Sequence, residues 1–198
     1  GGPKVPEVAV YFEYDLFRGN RLHKISTQDF EAFQSMNYPK LAEAGVKIKY
    51  HSNYLFKGTS SSFSVNPNMS RNVGVLTAFP GISPAFALPI LENEKLEGII
   101  FRTFGSGNAP TEKWLLQAID ECIKRGTHVI NLSQCDGGGV FMGQYESGRA
   151  LLDLGVLSAF DMTFEAAITK LMHLLPLGLS ADEFKAQYEN SLRGELSR

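Results

Sequence analysis

From residue 73 onward the chain alternates short, wholly apolar runs with longer amphipathic ones, and this alternation restricts the fold more than any other feature. Apolar runs without internal alternation belong to strands buried on both faces, and helices between them supply the crossovers that join parallel strands. VGVLTAF (73–79), GIIFRTF (98–104) and THVINLS (127–133) are three such runs, with a short VLSAF segment (156–160) after them. Between the first two, Ser83 stands at an N-cap with Pro84 at the first helical position, and Pro89 is expected to cut that helix short or kink it. Leu115, Ala118, Ile119, Cys122 and Ile123 recur on one face of the next helix, which Gly126 ends in the left-handed region. Cys122 is thereby assigned to the core. Residues 144–153 predict a further helix, and Asp161 or Thr163 caps another through Leu175. Ser180 and Glu183 stand at capping-box spacing at the head of the last, which is expected to lay Phe184, Tyr188 and Leu192 on one side. Residues 73–198 thus read as an α/β domain, a parallel sheet with helices on both faces.

The first part of the chain behaves differently. VAVYF (8–12) is one apolar strand, FRGNR (17–21) reads as a turn, and no regular repeat follows until VKIKY (46–50). These elements are too few for a core of their own, and a lone strand leaves its edges and apolar faces open. Residues 1–50 are accordingly expected to be the C-terminal remnant of an α/β N-terminal domain whose first part is not in the chain. Residues 51–72, which hold the Ser-, Asn- and Gly-rich run 57–71, read as an interdomain linker.

Composition narrows the partners. With 198 residues and 43% apolar content the chain can bury a core. Nineteen basic against twenty-one acidic residues give a net charge of -2, with no basic patch of the kind that phosphate backbones demand, so no nucleic acid is expected. Cys122 and Cys135 are too few for a disulfide framework or a cysteine cage, and His23, His51, His128 and His173 lack metal-ligand spacing, so no metal site is expected. Without a signal peptide or a long apolar run, the chain reads as soluble and cytoplasmic, with no membrane partner.

Chemistry concentrates where two consecutive strands end, and if these strands are neighbours Arg102 and Ser133 lie close together. In open parallel sheets, ligands bind beyond the carboxyl ends of the strands. One strand ends at Arg102 before Gly105, Gly107, Asn108 and Pro110; the other ends at Ser133, Gln134 and Cys135 before Asp136 and three glycines. A guanidinium fork beside a hydroxyl and free backbone groups suits the α-carboxylate and α-ammonium of a free amino acid. Each residue also has a plainer reading. Arg102 fits a solvated or salt-bridged strand end, and Asn108 a helix N-cap. Cys135, with no histidine or basic cluster near it in sequence, reads as an inert thiol lining a pocket. GSGNAP carries Pro110 at the third glycine of the dinucleotide fingerprint, which excludes NAD. By composition alone Lys24 is a surface lysine.

Taken together, FRGNRLHK, FPGIS, FRTFGSGNAP, NLSQCDGG, the run from MGQYESGRALLDLG through DMTFEAAITKLMHLL, and SLRGELS resemble the bacterial cytoplasmic, type I L-asparaginases over almost the whole chain. The resemblance implies a two-domain amidohydrolase that converts L-asparagine to L-aspartate and ammonia without metal or organic cofactor. It implies a threonine acyl-enzyme served by a Thr-Lys-Asp proton relay, in which Lys24 matches the lysine. It also implies that Asn108 reaches the substrate of a neighbouring subunit in a homodimer or homotetramer. Arg102, Ser133, Gln134 and Cys135 match a regulatory site at which L-asparagine acts as an allosteric effector. Ser133 stands where the family often has threonine, so the hydroxyl is kept and a methyl lost, a packing difference of about one kcal/mol or less. The segments bearing the two threonines have no match, so this chain alone is expected to be inactive until the missing N-terminal portion is supplied. The other reading is a non-catalytic amino-acid-binding or interaction module.

Overall fold

The structure, a computed structural model, describes residues 2–57, 64–143 and 146–197. The centre of the expected linker, 58–63, and the first two residues of the expected 144–153 helix lie outside the described residues.

The apolar runs form strands β7 (Val73–Thr77), β8 (Gly98–Thr103) and β9 (His128–Ser133), with β10 (Leu157–Ser158) beyond them. All pair in parallel in the order β10-β9-β8-β7. Side chains alternate across the sheet, as the two-residue period of a strand requires. Leu76, Ile99, Phe101 and Val129 pack on one face against helices α1 (Pro84–Leu91) and α2 (Lys113–Lys124). Ile100, Ile130 and Leu132 pack on the other against α4 (Phe164–Leu174) and α5 (Ala181–Tyr188). Helix α3 (Glu146–Asp153) adds Leu151 to the first face. Burying each large apolar side chain stabilises the fold by about 1.5–3 kcal/mol, so the two faces together supply most of its stabilisation.

Several expectations hold in detail. Cys122 is fully buried, where burial pushes its thiol above the ordinary range. Gly126 ends α2 at φ +95, and Ser180 and Glu183 form the capping box. Others hold in part or are corrected. Pro89 sits inside α1 without cutting it before Leu91. Thr163 caps α4 by accepting from the Ala166 N–H, and the helix stops at Leu174. Helix α5 ends at Tyr188, so Leu192 joins the second core face from the chain beyond it.

The front of the chain departs most from expectation. FRGNR is no simple turn: Phe17 and Arg18 lie in β2 (Asp15–Arg18), and Gly19–Arg21 is a 3-10 turn. Strand β1 (Ala9–Phe12) is therefore not alone but pairs antiparallel with β2, and β5 (Ala42–Glu43) and β6 (Lys49–Tyr50) complete a sheet in the order β1-β2-β5-β6. A second ribbon joins β3 (His23–Lys24) to β4 (Phe33–Gln34).

Two buried arginines fasten this piece to the rest. Arg21, 2% exposed, forks onto Asp161 at 2.6 and 3.1 Å and donates to the carbonyls of Glu195 and Asn37 and to Ser197 Oγ. Arg18 pairs with Glu7, donates to the carbonyls of Tyr54 and Gly194, and lies 4.2 Å from the centroid of the Tyr38 ring. Gly194 has φ +77, and a Cβ there would come within 2.2 Å of Arg18 Nη1, so only glycine fits. Behind them Lys170 bonds Glu195 at 2.6 Å, and Glu195 also accepts the N–H groups of Leu192 and Arg193.

Burial alone raises the Asp161 and Glu195 carboxyls, but hydrogen bonds from Arg21 and Ser197 to the first, and from Lys170, Leu192 and Arg193 to the second, hold both below the usual range. Their stabilisation is full above the unfolded carboxylate value of about 4 and is lost as pH falls through the depressed folded values. Thermal melts should therefore show an acid limb that flattens in Asp161→Asn. Removing one partner of a buried pair costs about 3–5 kcal/mol, so Arg21→Met should lose that much stability in urea, with Arg21→Lys recovering only part.

Candidate functional site

The carboxyl ends of β8 and β9 lie side by side, Arg102 opposite Leu132 and Thr103 opposite Ser133. Beyond β8 the chain turns back on itself, since Phe104 and Asn108 exchange backbone hydrogen bonds at 2.8 and 2.9 Å. A buried residue that sequence reading missed holds this turn. Asn131 accepts from Thr103 Oγ1 at 2.6 Å and donates to the Gly107 carbonyl at 3.0 Å. Gly107 is at φ +109, where a Cβ would meet Val140 Cγ1 at 2.8 Å.

Past β9, the Ser133 hydroxyl donates to the Gly105 carbonyl at 2.6 Å and accepts the Cys135 N–H at 2.9 Å, lacing the two loops together. A cavity of about 200 Å³ opens between these strand ends and the front of the chain. Arg102, Ser133 and Cys135, three of the residues proposed from sequence, line it. The fourth, Gln134, turns away: its side-chain amide donates to the Ala78 and Arg102 carbonyls and closes off the ends of β7 and β8.

Arg21, His23, Gln34 and Asn37 line the opposite wall. Arg21 and His23 thus line the same cavity as Cys135, although they come from the other end of the chain. His23 Nδ1 is 2.8 Å from Glu165 Oε1, which ties β3 to the first turn of α4. The Arg102 guanidinium lies 5.3 Å from the centroid of the Phe164 ring, and its Nε is buried with no hydrogen-bond partner. Among the described residues Arg102 has no ion pair, which leaves only the solvated form of its plain reading.

Lys24 follows His23 on the same strand but faces away from this cavity, exposed, with its ammonium 5.6 Å from the centroid of the Phe33 ring. Asn108 is not a helix N-cap, because α2 begins at Lys113 behind Glu112. Its Oδ1 accepts from Ser147 Oγ at 2.8 Å, which leaves its amide N–H groups without a partner among the described residues. Among those residues no group of three or more His, Cys, Asp or Glu is placed to hold a metal ion, and no helix is long and apolar enough to cross a membrane.

Residues 72–187 match the family model of the glutaminase/asparaginase C-terminal domain, and residues 2–55 match that of the asparaginase N-terminal domain. L-asparaginase 1 of Escherichia coli strain K12 is 38% identical over 193 residues, which cover 98% of this chain and 57% of that protein. The human 60 kDa lysophospholipase is also 38% identical, over 98% of this chain and 34% of its own length. The crystal structure of L-asparaginase I from Vibrio cholerae superposes with a TM-score of 0.89 at 42% identity, covering 98% of this chain and 58% of that one. The chain thus spans a little over half the length of these two bacterial asparaginases.

Asn131→Leu keeps the volume of the side chain that holds the turn after β8 but leaves the Thr103 hydroxyl and the Gly107 carbonyl unpaired. It should cost about 2–4 kcal/mol in urea denaturation, the combined penalty of two unsatisfied buried groups. Thr103→Val in the same background should recover part of that loss.

Proposed function

Because the chain belongs to the glutaminase/asparaginase family, we propose that it is part of an amidohydrolase that converts L-asparagine to L-aspartate and ammonia. The observation that carries this reading is that the front and back of the chain match the family's N- and C-terminal domains in order. On this reading residues 1–50 belong to the catalytic domain, 51–72 connect, and 73–198 form the second domain.

A threonine hydroxyl attacks the side-chain amide carbonyl, ammonia leaves, and water then cleaves the acyl-enzyme. Lys24 assists proton transfer to and from that threonine, and its exposed ammonium, with no ion pair among the described residues, is consistent with that role. Neither nucleophilic threonine of the family has a counterpart in these 198 residues. Hydrolysis is accordingly assigned to an assembly that contains them. The amide N–H groups of Asn108, without a partner among the described residues, support its role toward a neighbouring subunit's substrate in a cytoplasmic homodimer or homotetramer.

The cavity at the strand ends takes L-asparagine as effector. The unpartnered Arg102 Nε supports a carboxylate at that position, with Ser133 and Cys135 as walls and Gln134 bracing the strand ends from behind. His23 lines this cavity from β3, and Lys24, the next residue, faces away from it. A shift of this two-residue strand couples the two sites, provided the effector binds its two positions unequally.

Ammonia release from L-asparagine should be absent for the 198-residue polypeptide and should appear when the N-terminal segment of a type I asparaginase is added. In that complemented assembly Lys24→Met should lower kcat about 10²–10⁴-fold, the usual share of a proton-transfer residue. Turnover by these residues alone, or full turnover with Lys24→Met, would remove the assignment.

A further inference from the structure

Four charged or basic side chains line the cavity: Arg21, His23, Arg102 and Asp136. Two are already answered within the protein, Arg21 by Asp161 at 2.6 Å and His23 by Glu165 at 2.8 Å. Arg102 and Asp136 are not. Among the described residues neither side chain has a hydrogen bond or ion pair, and Arg102 Nε is buried without an acceptor. One unanswered cation and one unanswered anion therefore face the same small space, about 200 Å³, below the roughly 300 Å³ at which pockets for drug-sized ligands begin.

The loop carrying Asp136 is held at the cavity mouth from both sides. Asn37 Nδ2 donates to the Asp136 carbonyl at 3.4 Å and the Gly138 carbonyl at 2.9 Å, and the Gly138 N–H donates back to Asn37 Oδ1 at 2.8 Å. Behind it, the Cys135 N–H is bonded to Ser133 Oγ. The carboxylate is thus carried on a braced loop rather than a loose one.

Ligand chemistry follows from this charge pattern. A simple anion satisfies Arg102 but meets the Asp136 carboxylate, and a simple amine satisfies Asp136 but meets Arg102; like charges brought together are a means of exclusion. A zwitterion satisfies both through charge-assisted hydrogen bonds. We propose that Asp136 is a specificity-determining residue that reads a free α-ammonium group, so that the cavity accepts zwitterionic α-amino acids and rejects their desamino counterparts. This rests on the assignment of the cavity as an amino-acid effector site and adds to it the residue that recognises the amino end.

Isothermal titration of the 198-residue chain with L-asparagine and with succinamic acid, the same molecule without its α-amino group, tests this. The unaltered chain should prefer L-asparagine by at least about tenfold, the worth of one charge-assisted hydrogen bond. Asp136→Asn should abolish the preference by weakening L-asparagine while leaving succinamic acid unchanged or tighter, and Arg102→Ala should weaken both. Asp136 is exposed, so its variant should keep the melting temperature of the unaltered chain. Equal binding of the two ligands by the unaltered chain, or an undiminished preference in Asp136→Asn, overturns the role of Asp136 and leaves the effector assignment standing. Absence of L-asparagine binding, or binding indifferent to Arg102→Ala, overturns the effector assignment and this inference with it.

Discussion

The bidentate pair between Arg21 and Asp161 joins the front of the chain to the parallel-sheet domain, and the cavity exists because of it. An arginine buried to this degree must be answered on nearly all its donors, since an unpaired buried charge costs several kcal/mol. Arg21 is answered from four directions: the Asp161 carboxylate before α4, the Glu195 carbonyl, Ser197 Oγ, and the Asn37 carbonyl. One side chain thereby sets the position of the C-terminal residues, the loop after β4 and the start of α4. These are neighbours of the walls within which Arg102 and Asp136 stand.

The polar residues around the cavity divide into those that build it and those left free to act. Ser133, Asn131, Gln134 and Asn37 spend their hydrogen bonds on backbone groups of adjoining loops, and so fix the shape of the strand ends. Arg102 and Asp136 have no such commitments among the described residues. A side chain that already satisfies a buried carbonyl gains little by turning to a ligand, whereas an unpaired buried Nε gains a full charge-assisted bond. The same division separates Lys24, exposed and without an ion pair among the described residues, from Lys170, which is buried and bonded to Glu195 and the Asn190 carbonyl.

Much of this architecture was legible in the sequence. The apolar runs located β7, β8 and β9 to within two residues at either end, because strands buried on both faces tolerate little else. The capping box at Ser180 and the glycine after α2 marked helix ends through local chemistry alone. The front segment was less legible. Strand β2 is DLFR, two of its four residues charged, and its two-residue link to β1 is Glu13-Tyr14 rather than the Asn-Gly or Asp-Gly that announces a hairpin. Arg18 and Arg21 look like turn residues until the carbonyls that bury them are in place.

What the sequence by itself determined is therefore the order of strands and helices along the chain, the core face of the helix before Gly126, and the placing of Arg102 and Ser133 at the ends of consecutive strands, since these depend on periodicity and local composition. The tertiary structure alone decided that β8 and β9 are neighbours, that Arg21 and His23 line the same cavity as Arg102 and Cys135, that Gln134 faces away, and that Asn108 is no helix cap. Each of these turns on residues about a hundred positions apart or on how a buried polar atom is satisfied. Long-range pairing leaves no period in the chain, so only the folded backbone can specify it.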